Sequence, residues 1–153
     1  MIDTMQPADV TNAERFERVG IMADALTASH TRDEFAVWLR DFFELDPIRS
    51  SDVVLAINEA LANCAEFAYL EGPDTGTMDI VAWHDTVAST ITVLISDRGS
   101  WRAPVVPSAL TRGRGIPLME ALSDRASIDA SANGTRVTMA WTNVEPLRSR
   151  STH

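Results

Sequence analysis

The chain has 153 residues, 45% hydrophobic and 23% charged, with a formal net charge of −9 from 13 basic and 22 acidic side chains. That length and composition suit one compact domain with a proper core, and the acidic balance argues against a partner that presents a phosphate backbone. Every basic residue is an arginine, so neither a P-loop lysine nor the catalytic lysine of eukaryotic-type protein kinases is available.

Cys64 is the only cysteine, and His30, His84 and His153 are scattered, so neither an internal disulfide nor a zinc cluster is expected. The N-terminus MIDTMQPADV lacks the basic start and apolar stretch of a secretory signal, and no apolar run reaches membrane-spanning length. A soluble cytoplasmic protein is the expectation.

Residues 1–12 read as mobile. Residues 13–29 fit a helix or a short strand around Val19–Ala23 equally well. Thr31 followed by Glu34 has the form of a capping box, and Phe35, Trp38, Leu39 and Phe42 fall at helical spacing, which predicts a helix to about Glu44. Asp46-Pro47 ends it. Ser51 then caps a second helix over about 52–70, with Val54, Ile57, Leu61, Cys64, Ala65 and Ala68 as its apolar stripe and Gly72-Pro73 as its stop. TMDIVAWH and STITVLIS read as two strands around a turn at Asp85-Thr86.

Residues 97–115, rich in Gly, Pro, Ser and Arg, read as a long loop. A helix from Ile116 to about Ser123 follows, with Pro117 in its first turn. ASIDAS and TRVTMAW are strands joined through the hairpin signal Asn133-Gly134, and the tail from Asn143 reads as frayed. This order predicts an α+β fold, a two-layer sandwich of a mixed, mostly antiparallel sheet with helices on one face, as a single domain over 1–153.

Four groups of residues could carry chemistry. Glu59 and Asn63 lie four apart on one face of the second helix, nearly opposite its Ile57/Leu61 stripe. They are either a solvated polar face or a base beside an amide whose oxygen suits magnesium. Asp97 ends an apolar strand, with Gly99 after it. It is either a turn residue or an acceptor for a ligand amino group against which glycine lets the backbone approach.

Arg98, Arg102, Arg112 and Arg114 form the one basic island in an acidic chain, and Gly113 and Gly115 lead from it into a helix start. A solvated loop is the plain alternative, and anion binding by arginine forks and free helical N–H groups is the functional one. Gly134-Thr135 needs no explanation beyond a hairpin. Cys64 is most simply a small buried apolar residue.

Taken in order, these pieces resemble the GHKL ATPase superfamily over roughly residues 30–142. INEALANCAEFAY is similar to its N box, SDRGSW to its first glycine box, GRGIPLMEAL to its second and GTRVTM to its third. The stretch GRGIPLMEALSD is most similar to small bacterial anti-sigma-factor serine/threonine kinases.

The resemblance implies a Bergerat-type ATP-binding fold, with ATP and Mg2+ as cofactors. It makes Glu59 the general base and Asn63 the magnesium and phosphate ligand. It sets Asp97 on the adenine amino group, Gly99 along the ring and Thr135 near the adenine end. Residues 98–114 become an ATP lid, with Arg112, Gly113, Arg114 and Gly115 at the phosphates. The implied partners are a sigma factor and an anti-anti-sigma protein, and a homodimer is the implied assembly; neither nucleic acid nor a membrane is among them.

The chain departs from the family pattern at Trp101, where the first glycine box commonly has glycine, and at Phe67, where the N box often has histidine. A detached histidine-kinase catalytic domain and a gyrase-type ATPase are disfavoured, because neither a helical hairpin with an acceptor histidine nor room for a transducer domain is evident. A non-catalytic ATP-binding module that sequesters its partner remains open.

Overall fold

The computed structural model describes residues 9–67, 76–99, 116–131 and 133–147. In chain order these form strands β1 (Asp9–Asn12) and β2 (Arg15–Met22), helix α1 (Ala25–Phe42), strand β3 (Phe43–Glu44) and helix α2 (Pro47–Phe67). Strands β4 (Thr77–Asp85) and β5 (Thr90–Asp97), helix α3 (Ile116–Leu122), and strands β6 (Arg125–Ser131), β7 (Gly134–Trp141) and β8 (Glu145–Pro146) complete the set. Six strands make one sheet in the order β1-β2-β4-β5-β7-β6, every described pair antiparallel, and β3 pairs with β8 in a two-stranded sheet.

Alternation sets the layers. Met78, Ile80, Ala82 and His84 of β4, Ile91, Val93, Ile95 and Asp97 of β5, and Thr135, Val137, Met139 and Trp141 of β7 are all buried. They lie on one face, because a strand turns successive side chains to opposite sides. The helices pack on that face, where Ala56, Ile57, Ala60, Leu61 and Cys64 of α2 and Met119 of α3 join the same core. Phe16, Phe35 and Trp38 form an aromatic cluster with centroids 5.5–5.8 Å apart. The Trp38 indole N–H donates to the Asn12 carbonyl at 2.7 Å, so the cluster leaves no buried donor unmet.

The expected α+β sandwich is therefore observed, with three corrections of boundary. Residues 15–22 are a strand, and α1 begins two turns before Thr31, capped by Asp24, whose Oδ1 accepts from Thr27 N at 2.7 Å. Thr31 is a buried helix-interior residue, not a cap. Asp46-Pro47 opens α2 as well as closing what precedes it: Pro47 is its first residue, and Asp46 Oδ1 accepts from Arg49 N at 2.7 Å. Proline suits that position because its missing N–H would have no helical partner there.

The terminal segments are also more ordered than their composition suggests. Asp9–Asn12 pairs with Arg15–Arg18, and beyond Trp141 the chain returns so that Val144 is fully buried and Leu147 N donates to the Phe42 carbonyl at 2.9 Å. Among the described residues no helix is long and apolar enough to cross a membrane.

Candidate nucleotide site

At one end of the sheet the buried face turns polar. Asp97 closes β5 and stands opposite Thr135 in the β5–β7 register, flanked on its other side by Met78 of β4. Asp97 is only 4% exposed and Thr135 only 2%. Asp97 Oδ1 accepts from Gly99 N at 3.0 Å, which turns the chain sharply off the strand end. The Thr135 hydroxyl is buried with no hydrogen-bond partner among the described residues. Leaving such a group unmet costs about 1–3 kcal/mol, so it marks a place where a bound molecule completes the site.

Gly134 has a steric reason to be glycine beyond its hairpin position. Its φ is +152°, and a Cβ there would stand 2.3 Å from the Asp97 carbonyl oxygen. β7 thus approaches the Asp97 backbone more closely than any side chain allows.

Helix α2 supplies the other wall. At roughly 100° per residue its buried arc runs from Asn63 past Ala56 and Ala60 to Cys64, Ile57 and Leu61. Asn63, at the rim of that arc, is 4% exposed, whereas Glu59, one turn earlier and just beyond the rim, is half-buried. The expectation that their shared face lies opposite the core is thus corrected for Asn63: the contact surface of α2 is wide enough to take it in.

Cys64 was legible only as a small core residue. It is fully buried, on the side of α2 that packs against the sheet. Burial first, and then the Asp97 carboxylate, push the thiol pKa well above its ordinary value. The sequence signal available for this placement was position: Cys64 follows Asn63 and lies on the sheet-facing side of α2.

The structure therefore brings Asp97, Gly99 and Thr135 together at the end of β5, on which α2 packs with Asn63 and Cys64 buried. Arg112, Gly113, Arg114 and Gly115 lie outside the described residues, as do Trp101 and Arg102. Arg98, the described member of the basic island, donates to Thr77 Oγ1 at 3.2 Å and approaches Asp79 Oδ2 at 3.5 Å. A polar cavity of about 400 Å³ at this end is lined by Asp79, Ser96, Arg98, Asp129 and Arg136 as well as by Asp97 and Thr135. Asp79, Ser96, Arg136 and Asp129 form one cross-strand row whose side chains point away from the helices, so this cavity opens on the far side of the sheet from Asn63 and Cys64.

The model of the histidine kinase-like ATPase domain matches residues 21–141, well over half of the chain. The chain belongs to that family. A solved structure of the RsbU and RsbW domains of Rv1364c from Mycobacterium tuberculosis superposes with a TM-score of 0.66 at 22% identity. The alignment covers 90% of this chain and 34% of that one, so the chain spans about a third of the solved protein. At this identity the likeness speaks for the fold. No curated protein matches the chain.

Membership in the histidine kinase-like ATPase family implies ATP binding, and the described residues fit an adenine edge. Asp97 offers a carboxylate acceptor for a base amino group, and the unmet Thr135 hydroxyl beside it can donate or accept.

Proposed function

We propose that the chain is an ATP-dependent anti-sigma factor: a protein serine/threonine kinase that binds a sigma factor and phosphorylates a Ser or Thr of an anti-anti-sigma (STAS-type) partner. The observation that carries the nucleotide half of this reading is the buried Asp97–Thr135 pair with its unmet hydroxyl. The kinase half is supported by the Glu59/Asn63 spacing on α2, by family membership and by the resemblance of GRGIPLMEALSD to anti-sigma kinases. We take the whole of 1–153 as one catalytic domain that works in the cytoplasm as a homodimer.

In this reading Asp97 accepts from the adenine amino group, Gly99 lies along the ring and Thr135 completes the base pocket. Asn63 would hold Mg2+ against the nucleotide phosphates, with Arg112, Gly113, Arg114 and Gly115 also serving those phosphates. Magnesium supplies charge neutralisation at the transferring phosphoryl group. Glu59 takes the proton of the partner hydroxyl. The hydroxyl oxygen forms a bond to the γ-phosphorus as the bond from γ-phosphorus to the β,γ-bridging oxygen breaks, and ADP leaves with that electron pair. Half-burial suits Glu59 to this work, since it keeps the carboxylate within reach of a docked protein.

The test is a phosphotransfer assay with labelled ATP, the candidate anti-anti-sigma protein and the full chain, run beside calorimetry with ATP and with the sigma factor. Transfer to a Ser or Thr of the partner is the expected result. A chain that binds ATP and a sigma factor yet transfers nothing is a sequestering module, and the kinase reading then fails.

A further inference from the structure

The described helices pack on one face of the six-stranded sheet, and on the other face no described side chain of β4, β5, β6 or β7 is buried. An antiparallel sheet with one face in water ordinarily carries polar side chains on that face. β4 and β5 depart from this at their centres. Ile80-Val81-Ala82-Trp83 and Val93-Leu94-Ile95 are apolar without interruption, a pattern that suits strands covered on both sides.

The register draws the outward residues together. Val81 stands beside Leu94 and Trp83 beside Thr92 across β4 and β5; Leu94 then stands beside Thr138 and Thr92 beside Ala140 across β5 and β7. All six lie on the open side, because their neighbours in each strand fill the core. Trp83 is 36% exposed and the other five are half-buried. The patch is contiguous, holds a tryptophan and has charged residues around it, which is the anatomy of a protein contact surface.

Charge and size say what it contacts. Arg15, Arg125 and Arg136 stand against Glu17, Asp85 and Asp129 on this face, and Asp79 is paired with Arg98. The face is therefore close to neutral in a chain that carries −9. A strongly acidic or strongly basic partner finds no opposite field there, whereas a second copy docks without setting the net charge of one chain against that of the other. The signs are also self-complementary. On β6, Arg125 and Asp129 flank Ser127, which lies in a row with Thr138, Leu94 and Val81. A copy turned over about that row sets Arg125 against Asp129 of the partner subunit, and does so twice. As to size, β2, β4, β5, β7 and β6 have seven to nine residues each. At about 4.8 Å between strands and about 3.3 Å per residue they offer roughly 600 Å². Two such faces bury roughly 1,200 Å², which reaches the range of stable, specific interfaces.

We propose that the open face of the sheet is the contact surface between two copies of this chain. The inference rests on the homodimer taken above and names its surface; it uses nothing of the nucleotide reading. Stacking the open faces leaves the helices outermost, so Glu59 stays within reach of a docked protein.

Sedimentation velocity of the full chain over a concentration series, without nucleotide, is the first measurement. Wild type should pass from monomer to dimer as its concentration rises. Leu94→Arg and, separately, Thr138→Arg place a cation in the middle row, where the two-fold axis sets it beside its own copy. Each should raise the midpoint of dimerisation by at least about tenfold. Both side chains point away from the core, and a wild-type circular dichroism spectrum identifies a folded variant. The second measurement needs no substitution: hydroxyl-radical oxidation of Trp83, read by mass spectrometry, should fall as the wild-type dimer forms. A dimer whose midpoint ignores both substitutions, or Trp83 oxidation that is equal above and below the midpoint, overturns the assignment and leaves the homodimer to another surface. A wild type that stays monomeric across the series overturns the homodimer as well, whatever the chain does with ATP.

Discussion

The buried face of the sheet has two polar ends, and they are built on opposite plans. At the His84 end every polar side chain that the core takes in has a partner. His84 Nε2 lies 2.7 Å from the Val144 carbonyl, which can only accept, so that nitrogen carries the proton. The Trp141 indole N–H donates to the Leu122 carbonyl at 2.8 Å, and Val144 N donates to the Ser89 carbonyl at 2.8 Å. The returning segment after β7 closes over this end and joins β3 through the Phe43–Pro146 and Glu44–Glu145 pairs. At the Asp97 end, about 20 Å away by the six strand steps from Ile91 to Asp97, a hydroxyl is buried without a partner among the described residues. One end uses its polar groups to hold the fold. The other leaves one unmet, which is what a ligand site asks of a fold.

The comparison makes the two ends separable by mutation. The largest effect is expected beside the Asp97 end, at Glu59. Glu59→Gln keeps the side-chain shape and removes the base, so phosphotransfer to the partner should slow by about 10²–10⁴-fold while ATP affinity and sigma-factor binding hold. Equal transfer by wild type and Glu59→Gln, measured in single-turnover assays, would remove Glu59 from the reaction. Next comes Asp97→Asn, which replaces a charged acceptor by a neutral amide. ATP affinity by calorimetry should fall by roughly ten- to a hundredfold, corresponding to about 1.5–3 kcal/mol for a buried hydrogen bond to a charged group. An unchanged dissociation constant in a folded variant would mean that the base is read elsewhere.

Much of the fold was legible because local signals agreed with the tertiary outcome. β4, β5 and β7 alternate strictly, Asn133-Gly134 marks a hairpin, and Pro117 sits in the first turn of α3. The misreadings have a common cause in competition between two valid local patterns. Thr31 and Glu34 have the spacing of a capping box, but Asp24 stands nearer the true start, and α1 buries Ala28 and Thr31 as well as Phe35. Residues 13–29 fit a helix as well as a short strand, and the choice is made by β1 and β4, which pair with residues 15–22 on either side, with Gly20 at φ +71° at the register shift between Arg18 and Ile21. Of the candidate site, Asp97 and Gly99 could be singled out from their place at a strand end, and Thr135 only through the family resemblance. The burial of Asn63 and the steric demand at Gly134 could not, since both depend on which elements meet across the sheet.

The His84 end should respond in stability alone. His84→Ala removes the donor to the Val144 carbonyl and the ring that packs on Phe43 at a centroid distance of 4.9 Å. Leaving that carbonyl unmet should lower stability by about 1–3 kcal/mol, read as a shift of the urea midpoint. ATP affinity of the folded variant should match wild type. A variant with normal stability and weakened ATP binding would contradict the division of labour between the two ends.

The smallest effect is expected at Asp124, on the rim of the closed end. Its Oδ2 accepts from Thr142 N at 2.8 Å, from Thr142 Oγ1 at 3.1 Å and from Arg49 Nη2 at 2.8 Å. The Thr142 backbone N–H, most of all, holds its carboxyl below the ordinary carboxylate value; burial works against this, and the Thr142 hydroxyl and Arg49 add to it. A carboxylate with a lowered folded-state pKa contributes stability that is present above its unfolded value, near pH 4, and is lost as pH falls through the folded value. Its side chain is 46% exposed, so solvent screening limits the contribution to about 0.5–1 kcal/mol. Asp124→Asn should therefore lower Tm by a few degrees at pH 7, and the gap to wild type should shrink as the pH falls below about 4 and through the lowered pKa of the wild-type carboxylate. A gap that stays constant across that range would mean that Asp124 works through shape and not through charge. The Kd for ATP, taken at pH 7 on the same variant, should not move, because every partner of Asp124 belongs to the closed end.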